Sequence, residues 1–365
     1  MKSNYDILGN HIRLIDTRNR ESITDRVLGI NIDKFFMLSV ANVIGTDLSK
    51  YKLITKGKFA CNPMHVGRDE RLPVALYDEE EPAIVSPAYF MFEVVDNSIL
   101  NEDYLMMWFR RPEFDRICWL HTDGSVRGGI TWDDICRLEL PIPPIEKQLE
   151  IVNSYKAITE RIALKKKIND NLEAQAFAIF KDFIAGKEKD TPLCDIAHIT
   201  MGTSPEGESF NDKGIGSVFY QGRTDFRFRF PTIRLYTTEP KRFADKNDIL
   251  MSVRAPVGDI NIARENCAIG RGLAALKPKD GYYSFLYYTM MELNFELNKF
   301  NDEGTVFGSI TKDDLFALSI VALTIQERQE FDQKVSVLDS TIASNEAEIQ
   351  KLTEMSSILL GQLAI

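Results

Sequence analysis

Asp123-Gly-Ser-Val-Arg-Gly-Gly-Ile-Thr-Trp-Asp-Asp-Ile135 returns as Glu303-Gly-Thr-Val-Phe-Gly-Ser-Ile-Thr-Lys-Asp-Asp-Leu315, displaced by 180 residues. The segments after these two blocks also match in kind. Leu140-Pro-Ile-Pro-Pro-Ile-Glu-Lys-Gln148 answers Ile320-Val-Ala-Leu-Thr-Ile-Gln-Glu-Arg-Gln329, with a one-residue slip at the end. Each is an extended, proline-compatible or apolar segment leading into a helix. In the first helix Ile151, Tyr155, Ile158, Ile162, Lys165, Asn169, Leu172, Ala176, Ile179 and Phe183 recur at alternating steps of four and three. In the second, Phe331, Val335, Leu338, Ile342, Asn345, Ile349, Leu352, Ser356, Leu359 and Leu363 do the same, again displaced by 180. This is the a/d spacing of a coiled-coil seam. Some 35 residues at about 1.5 Å each predict rods of about 50 Å. Lys165 and Asn345 are polar and hold matching seam positions. They either fix register or mark where the seam frays or a partner packs.

Outward from the repeat, a stretch of mixed strand and helix signals precedes each conserved block. Strand-like runs are Phe35–Val40, Ala83–Val95, Ser217–Gln221 and Ile249–Arg254. Helical runs Glu102–Phe114 and Tyr283–Phe300 hold the same place before the two blocks. The globule cores are much less alike, and only Pro82–Phe90 matches Cys267–Ala275, loosely. The pattern predicts an α+β chain ordered globule, helix, globule, helix. The expected parts are a first globule over 1–144, a central helix over 145–185, a second globule over 186–324 and a C-terminal helix over 325–365. The polar stretch 186–192 serves as the link. A shared frame carrying two different globules suggests a bivalent device that recognises two different things.

The 365 residues carry 44 Lys and Arg against 54 Asp and Glu, a net charge of −10. That argues against a generic polybasic nucleic-acid binder, so any such contact needs local patches or partner subunits. The second globule, 191–320, has 15 basic and 17 acidic residues; 321–365 has 3 and 7. The helical frame is therefore a poor DNA surface and a plausible protein-docking one. Five scattered cysteines without a Cys-x-x-Cys pair point to a reducing, cytoplasmic setting. Four dispersed histidines offer no zinc spacing, so no metal site is expected. No signal-peptide core or membrane-spanning run is visible.

No catalytic constellation survives inspection. Gly202-Thr-Ser-Pro-Glu-Gly-Glu-Ser209 has the glycine spacing of a phosphate loop, but Glu208 stands where the lysine belongs and would repel phosphate. Cys61-Asn-Pro-Met-His65 lacks the second proline and the aromatic of an amino-methyltransferase motif, and no glycine-rich cofactor loop precedes it.

Candidate nucleic-acid contacts are better. In Tyr220-Gln-Gly-Arg-Thr-Asp-Phe-Arg-Phe-Arg-Phe230, period-two alternation places Arg227 and Arg229 on one face of a strand and Phe226, Phe228 and Phe230 on the other. The guanidinium forks suit phosphate or guanine edges, and Gln221 an adenine edge. Arg223 lies in the same run. Arg254 and Arg271 sit beside small residues that permit close backbone approach. The comparable set in the first globule is Lys52, Lys56, Lys58, Asn62, His65, Arg68 and Arg71.

This pattern resembles the specificity subunit of type I restriction-modification systems, over essentially the whole chain. The resemblance rests on Leu140–Gln148 opening a long helix, and on Asp248-Ile-Leu-Met-Ser-Val-Arg-Ala-Pro-Val-Gly258 followed by Cys267-Ala-Ile-Gly-Arg-Gly-Leu-Ala-Ala-Leu276. It also rests on Ser39–Tyr51 with Phe59–Arg68. The second repeat departs from the family's proline-rich signature, with Val321-Ala-Leu-Thr324 in its place.

The resemblance implies two target-recognition domains, each reading half of a split, asymmetric double-stranded DNA site. It implies two long antiparallel helices that hold them apart with pseudo-two-fold symmetry. The chain would itself be non-catalytic and bind no cofactor. Two modification subunits would bind S-adenosylmethionine and methylate a flipped adenine. Restriction subunits would bring ATP- and Mg-dependent translocation and cleavage in phage defence. The helix seam residues Ile151, Tyr155, Ile158, Ile162, Leu172, Ile179, Phe331, Val335, Leu338, Ile342, Ile349, Leu352 and Leu359 would hold the coiled coil or dock those partners. The alternative is an interaction scaffold or anti-restriction decoy without productive DNA reading.

Overall fold

The computed structural model describes residues 5–41, 43–64, 66–122, 128–302 and 308–363. The first ten strands are β1 (Tyr5–Ile7), β2 (Ile12–Ile15), β3 (Val27–Ile30), β4 (Phe36–Leu38), β5 (Lys52–Ile54), β6 (Lys58–Cys61), β7 (Val74–Tyr77), β8 (Ala83–Val85), β9 (Phe90–Val94) and β10 (Glu139–Pro141). Among them lie helices α1 (Val66–Asp69), α2 (Glu102–Phe109), α3 (Pro112–Leu120) and α4 (Trp132–Cys136), followed by the long α5 (Ile145–Ile184). Then come β11 (Thr191–Pro192), α6 (Leu193–Ile196), β12 (Ala197–Met201), β13 (Phe210–Asn211), β14 (Ser217–Tyr220), β15 (Leu235–Thr237), β16 (Phe243–Ala244), β17 (Ile249–Ser252), β18 (Ile260–Ile262), β19 (Cys267–Ile269) and β20 (Leu273–Pro278). The chain closes with α7 (Tyr283–Glu292), α8 (Asn294–Asp302), α9 (Lys312–Ala317), β21 (Ser319–Ile320) and the long α10 (Ile325–Gln362). It forms two compact units, 1–165 with 348–365 and 166–347.

In the first unit an antiparallel sheet has the order β2-β9-β6-β7, and a second sheet β4-β3-β8-β5 contains one parallel pair, β3 with β8. Phe59 and Phe92 stack at 5.0 Å, and Phe109 of α2 meets both edge-on. Each such ring contributes about 1.5–3 kcal/mol by leaving water. Asn101 starts α2 by accepting from the Tyr104 amide at 3.0 Å.

The second unit repeats this plan. Its antiparallel sheet is β12-β20-β17-β18, and its other sheet is β13-β15-β14-β19-β16, with β14 and β19 parallel. Strand for strand, β2, β9, β6 and β7 correspond to β12, β20, β17 and β18. Likewise β4, β3, β8 and β5 correspond to β15, β14, β19 and β16. Among the described strands of these four sheets, only β13, added outside β15, lacks a counterpart. The loose match between Pro82–Phe90 and Cys267–Ala275 falls on β8-turn-β9 and β19-turn-β20, the same place in both topologies. The fold is thus α+β, with two mixed α/β units built on an internal repeat and two long helices.

Several expected elements are subdivided. The run 83–95 is two strands around the Ser86–Tyr89 turn. The run 102–114 is two helices, because Pro112 disfavours helical backbone at Arg111. The 123–127 and 303–307 parts of the repeated blocks lie outside the described residues. Their remainders carry the same cap: Thr131 accepts from the Asp134 amide at 3.1 Å, and Thr311 from that of Asp314 at 3.2 Å.

The two long helices begin differently. At α5 the Pro144 carbonyl accepts from Lys147 and Gln148. At α10, Thr324 and Glu327 form a reciprocal box, each side chain bonding the other's amide. This aligns Thr324 with Pro144 and Arg328 with Gln148, so the one-residue slip disappears. Gln148 is fully buried and ties the helix start to the loop before α2, bonding Asn101 N, Ile99 O and Pro143 O. Arg328 does the equivalent work by pairing with Asp280, before α7.

Within each unit the two helices run antiparallel. Phe180 meets Phe331 edge-on at 5.8 Å in the second unit. In the first, Arg161 and Lys165 both pair with Glu348. Of the seam residues, Tyr155, Phe331, Val335, Ile342 and Ile349 are buried, and Ile151, Ile158, Ile162, Leu172, Ile179, Leu338, Leu352 and Leu359 are half-buried. This burial is within their own chain. Val152, Ala176, Phe180 and Ile184 are buried too, because each helix also closes a globule core and so needs a wider apolar stripe. Antiparallel packing brings Asn169 to Asn345 at 2.8 Å, with Asn169 also donating to Glu346 at 2.8 Å.

Candidate nucleic-acid interface

Three glycines assemble the basic cleft of the second unit. A Cβ on Gly202 would lie 2.2 Å from the Gly270 carbonyl, one on Gly270 2.9 Å from the Gln221 Cα, and one on Gly272 2.7 Å from the Gln221 carbonyl. Only bare backbone fits at these approaches. They bring together the end of β14, the β19–β20 turn and the segment after β12. The Gly270 amide donates to Tyr220 O at 2.8 Å, and the Val253 amide to Gly272 O at 3.0 Å. Gln221, Arg254 and Arg271, far apart in sequence, thus meet at neighbouring strand ends. Arg254 and Arg271 line one cleft of about 370 Å³ with Met201 and Ser309. Both guanidiniums are exposed, and among the described residues neither pairs with a carboxylate. A carboxylate-free pair of forks beside an exposed glutamine has the chemistry to hold phosphate or a base edge.

A second cleft of the same unit, about 820 Å³, is lined by Arg223, Arg227, Asp259, Asn261 and Tyr287 among others. Arg223 is held by Asp259. The exposed Arg227 donates to the Thr224 carbonyl at 3.2 Å and the Phe226 carbonyl at 2.7 Å. Arg229 is the clear correction. Residues 226–230 form no strand, so the two arginines do not share a face. Arg229 is 1% exposed and bonded to Glu173, Asp339 and Tyr288. Burial works against its charge, but Tyr287, Tyr288 and Asp339 outweigh that and hold its pKa above the usual arginine range. It is not available to DNA.

In the first unit the expected set is scattered. Lys52 is buried, donates to Tyr89 O at 2.6 Å and lies 3.6 Å from Asp16; burial depresses its pKa despite Asp16. It holds β5 to the β8–β9 turn. Lys56 pairs with Glu80 and Lys58 with Glu93. Asn62 accepts from the Met64 amide at 3.1 Å, closing a turn. His65 lies outside the described residues, and Arg68 lies on α1. Arg71 pairs with Asp33 at 3.0 Å and lines a cleft of about 830 Å³ with Arg110, Arg116 and Trp119. Among the described residues, Arg110 and Arg116 have no carboxylate partner. Sequence reasoning missed both. For Arg110 the signal was the Arg110-Arg111 doublet before Pro112 at a helix break, hidden inside a run read as one helix; Arg116, beyond that run, gave none.

The family described as the type I restriction modification DNA specificity domain matches residues 188–354. A type I restriction enzyme specificity subunit of Methanocaldococcus jannaschii, MjaX, is 26% identical over 395 aligned positions, covering 100% of this chain and 89% of its own. Residues 188–354 thus match a type I specificity domain, and the whole chain is similar to a specificity subunit of a type I restriction-modification system. An S subunit of such a system from M. genitalium shares the fold, with a TM-score of 0.62 at 17% identity over 100% of this chain and 97% of that one. A specificity subunit is not itself catalytic. In the Gly202–Ser209 segment, Gly202 is used for close packing against Gly270.

Proposed function

We propose that each unit of this specificity subunit reads one half of a bipartite, asymmetric DNA sequence, and that the two half-sites differ. The observation that carries this is the pairing of one two-sheet topology with different chemistry at equivalent strand ends. At the β8–β9 turn stands Ser86-Pro-Ala-Tyr89; at the β19–β20 turn stands Gly270-Arg-Gly272. A shared scaffold with different exposed tips presents different side chains to base edges.

The chain works with DNA and with the other subunits of its restriction-modification complex. Two modification subunits dock on the helical frame, bind S-adenosylmethionine and methylate adenine; restriction subunits bring ATP and Mg. The chain's acidity leaves much of the phosphate neutralisation to these partners. The complex works in the cytoplasm. Among the described residues no helix is long and apolar enough to cross a membrane.

The test is methylation of duplex libraries by the assembled modification complex, with adenine positions read by long-read sequencing. Arg254→Ala and Arg271→Ala are expected to relax one half-site by about 1–3 kcal/mol per base contact and leave the other intact. Methylation at a single continuous site, or none that depends on sequence, would overturn the bipartite reading.

A further inference from the structure

The β14–β15 connection, 221–234, is the longest departure between the matched sheets, and its basic residues divide sharply. Arg227 is exposed while Arg229, two residues on, is buried. The backbone explains the division. Asn261 of β18 brackets Arg227, accepting from its amide at 3.1 Å and donating to its carbonyl at 2.8 Å. The Arg229 carbonyl accepts from the Ile262 amide at 2.8 Å. With the loop held at both residues, one side chain points out and the other is driven inward.

The inward side chain meets a complete receptor. Nη1 of Arg229 lies 2.5 Å from Asp339 on α10; Nε and Nη2 lie 3.2 and 3.1 Å from Glu173 on α5. Tyr288 accepts from Nη2 at 2.7 Å and donates to Asp339 at 2.8 Å, while Tyr287 donates to Glu173 at 3.1 Å. The guanidinium also stacks over Tyr287 at 4.4 Å. One carboxylate comes from each long helix, so a single planar fork joins the loop to both helices and to α7. A lysine, a point charge without the fork, cannot reproduce that geometry.

We propose that Arg229 is a positioning residue for the second half-site: it latches the loop that displays Arg223 and Arg227 onto the helical frame that carries the partner subunits. The proposal rests on the reading of the second unit as a DNA-recognition domain. Without the latch the loop keeps its tether to β18 but loses its seat on the helices, and Arg227 is no longer presented at one place.

The experiment uses the assembled modification complex with duplex libraries randomised in one half-site at a time. Arg229→Met is expected to lower discrimination at the second half-site at least tenfold while the first keeps its wild-type preference. Arg229→Lys, which retains the charge, is expected to recover part of the loss, and Asp339→Asn to give a smaller loss at the same half-site. Should Arg229→Met not fold, Asp339→Asn alone carries the test. Unchanged second-half discrimination in the folded variants, or equal relaxation of both half-sites, overturns the proposal. Wild-type methylation without sequence preference overturns the functional reading instead, so the two failures are distinguishable.

Discussion

The first unit makes the β3–β4 connection in the tight turn 31–35; the second makes the equivalent β14–β15 connection through 221–234. Both send one cation into the helical layer of their own unit. Lys34 is buried, donates to the Phe109 carbonyl, pairs with Asp115 at 2.6 Å and lies over the Phe114 ring. Burial depresses its pKa, and Asp115 works the other way. Arg229 instead meets two carboxylates that keep 19% and 20% of their side-chain surface exposed. A short turn can reach only its own globule, where one ammonium suffices. A long connection reaches both rods, where a fork is needed to satisfy two partners. Equivalent places in one topology therefore yield an internal rivet in one unit and a strap to the frame in the other.

This contrast predicts a ranking. Lys34→Met should destabilise the first unit by about 3–5 kcal/mol, because it strands Asp115 in the core. Denaturant unfolding that starts no earlier than in the wild type would erase the distinction between rivet and strap. Arg229→Met should cost less, about 2–3 kcal/mol, since water can reach Glu173 and Asp339. Local unfolding followed by hydrogen exchange should place that loss in residues 221–234 and α7; protection unchanged there would contradict it.

The helix starts sharpen the comparison further. Gln148→Ala leaves the Asn101 amide and two carbonyls without their partner and should cost about 1–2 kcal/mol. Arg328→Gln should be tolerated better, as Thr324 and Glu327 still cap α10. Equal melting shifts for the two variants would mean the caps do not matter.

The smallest effect concerns pH. Asp248, just before β17, has one oxygen accepting from the Asp245 amide at 2.8 Å and the other buried without a partner. Burial raises its pKa from 3.8 to about 6. The folded state thus holds this proton more tightly than the unfolded chain does. Its contribution to stability is full below the ordinary value and is lost as pH rises through about 6. In the first unit Gly57 stands before β6, so no such group titrates there. Asp248→Asn should stabilise the second unit by about 1 kcal/mol at pH 8, and progressively less toward pH 5. A difference between variant and wild type that does not change with pH would exclude Asp248 as the cause.

The internal repeat and the two long helices were legible in the sequence, because each is a local pattern: a fixed displacement and a four-three period. The same locality set the limits. Asn345 was matched to Lys165 by displacement, yet antiparallel packing gives it Asn169, since a repeat reports equivalence and not contact. Arg229 was grouped with Arg227 by alternation, but alternation is meaningful only in a strand, and β18 holds 226–230 as a bracketed loop. Gln221, Arg254 and Arg271 could be named singly; glycine-permitted backbone approach made them neighbours. The sequence by itself determined which family the chain resembles and which parts repeat, because those follow from residue order. Tertiary structure alone decided which cations face outward and which are consumed inside, because that depends on which carboxylates the folded chain brings within reach.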